Sequence, residues 1–215
     1  MVSTERVLLR NISWQTFEGV LSDMGEDGAS RLTYGQKTME IIVPNLFHEY
    51  WNRLIEFFIF VLAEELSLDI LLLGSVTLKR QDLQIGVVPD SCYYVYHEGY
   101  RKKAFPSSPN PSFDLHENIV PNLVVEIDLD DSSLDKFPIY SALGVAELWR
   151  YNQGILHIYQ LLDGEYIQCH NSPLFAQLPL IGVPKFLEES QKLGVMGVVR
   201  NFRQWVRIML GNNIK

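Results

Sequence analysis

Apolar residues recur every three or four positions along 46–66, where Phe47, Tyr50, Trp51, Leu54, Phe58, Val61 and Leu62 share one stripe. Glu49, Arg53 and Glu56 occupy another stripe, and that division predicts an amphipathic helix opened by Pro44-Asn45. A similar stripe (Val195, Val198, Val199, Phe202, Trp205, Val206, Met209) predicts a terminal helix over about 195–209. Ser13 can cap a shorter helix over about 14–24, closed by Gly25 and an acidic turn. Elsewhere the pattern shortens to strand-like runs. Segments 31–34 and 38–43 flank Gly35-Gln36-Lys37 as a hairpin. Short strands are expected at 70–73 and 75–79, then at 91–96 and 123–129. Alternating runs at 147–151, 155–161 and 166–170, split by Asn152-Gln153-Gly154 and Asp163-Gly164, predict a three-stranded meander.

Three carboxylates interrupt this apolar pattern. Asp90 follows Pro89 at the start of one strand, while Glu126 and Asp128 lie inside Leu123-Val124-Val125-Glu126-Ile127-Asp128-Leu129. Ionised groups are costly to bury unless paired or bound to metal. Alternation along a strand puts Glu126 and Asp128 on one face, roughly 7 Å apart. If 91–96 and 123–129 pair antiparallel, Asp90 meets both acids at one edge of the sheet. That is a hard-oxygen arrangement of the kind Mg²⁺ accepts while keeping several waters. Pro138 suits a first helical turn and Gly144 a stop, so a helix over about 136–143 would begin with Lys136 beside the acids.

Each of these residues also has a plainer reading. Pro-Asp commonly precedes a strand as part of a turn, and Asp128 can face solvent at a strand end. Lys136 can be a solvated helix-start residue, and Glu49 can simply favour its helix amino terminus. His48 reads as structural or exposed. Arg200, Arg203 and Arg207 read as the wet face of the last helix, and Tyr93, Tyr94 and Tyr96 as packing residues.

Composition narrows the choice. At 215 residues with 47% apolar and 20% charged content, the chain fits one domain spanning 1–215. A net charge of −8 excludes a globally basic nucleic-acid binder, though not a local basic patch. Four prolines with Arg101-Lys102-Lys103 make 97–121 a long, irregular, partly basic loop. The long apolar run 54–73 is broken by Glu56, Glu64, Glu65 and Asp69, so no membrane span is expected. Cys92 and Cys169 read as buried free thiols of a reducing compartment. With no signal-peptide pattern at the amino terminus, a cytoplasmic location is expected. No nucleophile elbow, Gly-rich phosphate loop, zinc spacing or repeat is present.

From Gly74 to Tyr151 the sequence resembles the Uma2 family, also called DUF820, within the PD-(D/E)xK nuclease superfamily. The resemblance is carried by Gly74-Ser75-Val76-Thr77-Leu78-Lys79-Arg80, Pro89-Asp90, the run from Leu123 to Asp128, Ser132-Ser133-Leu134-Asp135-Lys136, and the run from Ile139 to Tyr151. The amino-terminal hairpin and His48-Glu49 look like the family pattern too, so the likeness covers roughly residues 13 to 187. It implies an α/β (α+β) restriction-endonuclease-like fold, a central mixed sheet flanked by helices, with the hairpin before it and the meander after. It also implies Mg²⁺-dependent (or Mn²⁺-dependent) hydrolysis of DNA phosphodiester bonds, and a possible homodimer. Asp90 would match the superfamily's first acid, Glu126 its second, and Glu49 the helix acid that some members add to the metal. Asp128 stands where the superfamily lysine is usual; Lys136, supplied from the following helix, would replace it. The alternative is a nuclease-fold binding or assembly module that no longer cleaves.

Overall fold

The computed structural model describes residues 5–25, 30–96, 112–114, 120–129, 134–175 and 178–211. Among the described residues, two six-stranded mixed sheets carry four α-helices. The first sheet holds β1 (Glu5–Arg10), β2 (Arg31–Gly35), β3 (Thr38–Val43), β5 (Thr77–Arg80), β6 (Ile85–Val87) and β8 (Ser112–Asp114), in the order β1-β3-β2-β6-β5-β8. The second holds β4 (Asp69–Gly74), β7 (Ser91–Tyr96), β9 (Leu123–Asp128), β10 (Glu147–Asn152), β11 (Ile155–Leu162) and β12 (Glu165–Cys169), in the order β12-β11-β10-β9-β7-β4. The expected hairpin is thus the middle of a larger sheet, extended by β1 on one side and by β6 on the other.

The helices begin where local chemistry permits. Ser13 accepts the Thr16 N–H at the head of α1 (Trp14–Met24), and Asn45 accepts the His48 N–H at the head of α2 (Leu46–Glu65). In α3 (Phe137–Leu143), Pro138 lies in the first turn and Gly144 stops the helix at φ 82°, a left-handed conformation that costs glycine little. Helix α4 (Val183–Met209) starts twelve residues before the expected 195, and Gly194, at φ 70° and ψ 165°, breaks it near that point. The sequence pattern therefore found the second half of α4 and missed the first, because the register of the apolar stripe restarts after the break.

Strand β9 organises the second sheet. It pairs antiparallel with β7 and parallel with β10, and α3 makes the crossover between β9 and β10. Leu123, Val125 and Ile127 face a large core built with Phe58 and Leu62 of α2 and Phe202 and Val206 of α4. Val124 faces the other way, into a smaller core with Cys92, Ile139, Tyr140 and Leu143 under α3. All six residues of β9 are buried, as expected of a strand covered on both faces. A third cluster (Trp14, Phe17, Leu32, Tyr34, Met39) seats α1 on the first sheet.

Some sequence expectations change at the surface. Phe47 is 53% exposed although it lies on the α2 stripe. Met209 is likewise exposed, at the far end of α4. Cys92 is buried, whereas Cys169 is only half-buried, since β12 is an edge strand. The Arg203 and Arg207 side chains are not a free wet face: both clasp Glu65 at the end of α2. Most of the 97–121 loop, with Arg101-Lys102-Lys103, lies outside the described residues. Among the described residues, no helix is long and apolar enough to cross a membrane.

Candidate functional site

The chain leaves the first sheet after Val87 and enters the second at Ser91, so Asp90 stands at the passage between them. Ser91 pairs with Val125 in the β7–β9 ladder, and one further step in that register sets Asp90 opposite Glu126. The expected antiparallel pairing of these strands is therefore present, with the beginning of one beside the end of the other. Asp90 and Glu126 are 1% and 2% exposed. Together with Asp128, Lys136, His48, Arg31 and Arg6 they line one small cavity.

Asp90 is held by three donors. His48 Nε2 lies 2.7 Å and Arg31 Nε 3.1 Å from Oδ1, and the Ile127 N–H donates to Oδ2 at 2.8 Å. Asn52 also donates to the Asp90 carbonyl oxygen, tying α2 to the same residue. Burial alone would raise the Asp90 carboxyl, but the His48 hydrogen bond and the charges of His48, Lys136 and Arg31 outweigh it and take it down to about 2. An ionised carboxylate only accepts, so the imidazole proton sits on Nε2.

Glu126 has different company. Lys136 Nζ donates to Oε2 at 2.7 Å, and the Tyr140 hydroxyl donates to Oε1. Burial pushes this carboxyl up; the Lys136 charge opposes that, while Asp90 and Asp128 add to it, leaving Glu126 at about 7. Lys136, 8% exposed at the cap position of α3, would lose its proton more easily through burial. The facing carboxylates of Glu126, Asp128 and Asp90 prevail and hold it up at about 12. It is a fixed charge here, not a proton acceptor at neutral pH.

Asp128 and Glu49 sit differently from these two acids. Asp128 lines the cavity, and its Oδ2 takes the Arg150 Nε hydrogen bond at 2.7 Å. Glu49, in the first turn of α2, gives Oε1 to Arg31 at 2.9 Å and faces Arg53 at 3.7 Å with Oε2. Arg31 therefore bridges Glu49 to Asp90. The residues that sequence reasoning passed over are Arg31, His48 and Tyr140. Of the two plain readings of His48, structural or exposed, exposure is excluded: it is buried against Asp90. Its position beside Glu49 in the capped first turn was the available signal. Tyr140, one helical turn after Lys136, offered another.

The donor set can be tested against a divalent ion. Both Asp90 Oδ1 lone pairs are taken, but Oδ2 and both Glu126 oxygens each accept one hydrogen bond and keep a second lone pair. Two hard carboxylates with open lone pairs suit Mg²⁺, which is held through one or two carboxylates plus waters. A cage made wholly of protein is not present: among the described residues no group of three or more His, Cys, Asp or Glu side chains could hold a metal. By donor chemistry, Asp90 and Glu126 would hold such an ion, with water filling its remaining positions.

Fold and site together define an α+β protein with two sheets flanked by helices, in which a buried acid pair and a lysine meet where the sheets join. The Uma2 family model, described as "Putative restriction endonuclease", matches residues 14–190, and the chain belongs to that family. Among solved structures it is similar to a "putative nuclease belonging to DUF820" from Anabaena variabilis ATCC 29413, at 14% identity and a TM-score of 0.47, over 89% of this chain and 99% of that one. No curated protein matches the chain.

Proposed function

We propose that this protein is a metal-dependent endonuclease hydrolysing DNA phosphodiester bonds. The observation that carries the reading is the meeting of Asp90, Glu126 and Lys136 in one buried cavity, from three separate parts of the chain. Membership of a family described as putative restriction endonucleases supports it. Asp90 and Glu126 would hold Mg²⁺ or Mn²⁺, with Asp128 as a further partner. When bound, such an ion polarises a phosphate and acidifies a water.

The chain's own residues have separable tasks. Asp90, fixed by three donors and ionised throughout the neutral range, supplies a permanent negative charge. Lys136 supplies a permanent positive one, placed to offset charge building on phosphate oxygens. Arg31 and His48 fix the Asp90 carboxylate from the side of α2, and Glu49 holds Arg31 in place. In this reading Glu49 acts through Arg31 and does not touch the ion.

The test is plasmid cleavage with Mg²⁺ or Mn²⁺, run beside calorimetric titration of the same ions. Cleavage and ion binding should both be lost in Asp90→Ala and Glu126→Ala proteins that still fold. Cleavage surviving both substitutions would remove the site. The net charge of −8 and the place of Asp128 where the superfamily lysine is usual favour one competing reading, a binding module that retains the fold without the reaction. Ion binding without cleavage would establish that alternative.

A further inference from the structure

The two oxygens of Glu126 are held by one helix. Lys136 at the cap of α3 and Tyr140 one turn further on reach the same carboxylate, the lysine through Oε2 and the phenol through Oε1. Their placement is set locally: Pro138 sits in the first turn of α3 and Gly144 ends it. The Tyr140 ring is fully buried among Cys92, Val124, Ile139 and Leu143, so the hydroxyl enters the cavity from a fixed base.

We propose that Tyr140 is a positioning residue for the ion-holding acid, fixing the plane of the Glu126 carboxylate through its hydroxyl. The inference rests on the reading of Asp90 and Glu126 as ion-holding acids. The terminal torsion of glutamate is broad. A lysine ammonium is a compact point charge on a flexible stem, and by itself it leaves the carboxylate free to turn. A second donor on the other oxygen removes that freedom. Asp90 is fixed in the same way by His48, Arg31 and the Ile127 N–H. Both acids are therefore oriented before an ion arrives.

The experiment is a calorimetric Mn²⁺ titration of the full chain, comparing the wild type, Tyr140→Phe and Leu143→Ala. Loss of a hydrogen bond that orients a metal ligand weakens affinity roughly 10- to 100-fold, and Tyr140→Phe should do so. Leu143→Ala disturbs the same helix and core without touching Glu126. It should lower the unfolding temperature and leave the Mn²⁺ affinity within a few-fold. Unchanged affinity in Tyr140→Phe, or an equal loss in Leu143→Ala, overturns the proposal. A wild type that binds no Mn²⁺ would instead remove the underlying site, and this inference with it. Should Tyr140→Phe not fold, 4-aminophenylalanine at 140 keeps a weaker donor in place and should weaken Mn²⁺ binding several-fold. Complete loss of binding there, with a donor still facing Glu126, overturns the proposal too.

Discussion

Glu126 and Glu147 are both buried glutamates, on neighbouring parallel strands but three residues out of register and so on opposite faces of the sheet, and burial raises the carboxyl of each. Glu147 accepts from Trp149 Nε1 at 2.5 Å, Ser172 Oγ at 2.6 Å and the Leu174 N–H at 3.0 Å. All its donors are neutral, and they staple the 172–174 segment to β10. Glu126 has one lysine, one phenol and a second acid opposite it. Burial alone therefore does not mark a functional carboxylate. A neighbouring like charge that the fold tolerates, held beside a cation, is what distinguishes this pair.

The comparison breaks most sharply at the acids. Glu126→Gln should abolish both cleavage and Mn²⁺ binding, whereas Glu147→Gln should leave both unchanged. Parallel plasmid and calorimetric assays read the contrast. Lys136→Met is expected to lower the cleavage rate by roughly 10²- to 10³-fold, the scale for losing a charge or donor aimed at the transition state. The stability cost of that change should be smaller than that of breaking a typical buried pair, because Glu126 can take a proton in place of its partner. Urea denaturation at neutral pH in chelator measures it.

Glu147→Gln carries its own expected cost, about 1–3 kcal/mol of stability, since an amide donor would face one of the three donors now satisfied. A pH series in chelator sharpens the distinction further. Glu126 titrates at about 7 in the fold against a usual 4.5, so the folded state keeps a proton that the unfolded chain has lost. Stability should fall as pH rises from 4.5 through 7 and level off above it. Asp90 works in the opposite sense: held at about 2 against a usual 3.8, it contributes stability above 3.8 that is lost as pH falls towards 2. Denaturation midpoints for the wild type and Glu126→Gln should differ in slope only across the upper window. Last and smallest, Glu49→Gln should reduce cleavage only a few-fold and leave Mn²⁺ affinity intact. A loss as large as that of Asp90→Ala would make Glu49 a ligand.

Much of this site was legible in the chain. The apolar run around Glu126 and Asp128, and the Pro138 and Gly144 limits of α3, rest on local rules, and the elements they predict are present. The three strands of the meander are present for the same reason; the central residues of one of its turns, Gln153 and Gly154, both adopt positive φ. Strand β1, strand β6 and the first half of α4 were not legible. They are short or broken, and partners distant in sequence decide them. The same applies to Arg31 and His48, which reach Asp90 from 59 and 42 residues away.

The sequence by itself determined which residues are acids in apolar surroundings, where α1, α2 and α3 start and stop, and that Lys136 follows Glu126 at the head of a helix. Alternation, capping and proline sterics act over a few residues, so they can be read from a string. Only the tertiary structure decided that Asp90 and Glu126 face one another, that Glu49 is spent on Arg31, and that Tyr140 closes on the second oxygen of Glu126. Those outcomes depend on strand register and on which charges share a low-dielectric cavity. Neither quantity exists until segments distant in sequence have packed together.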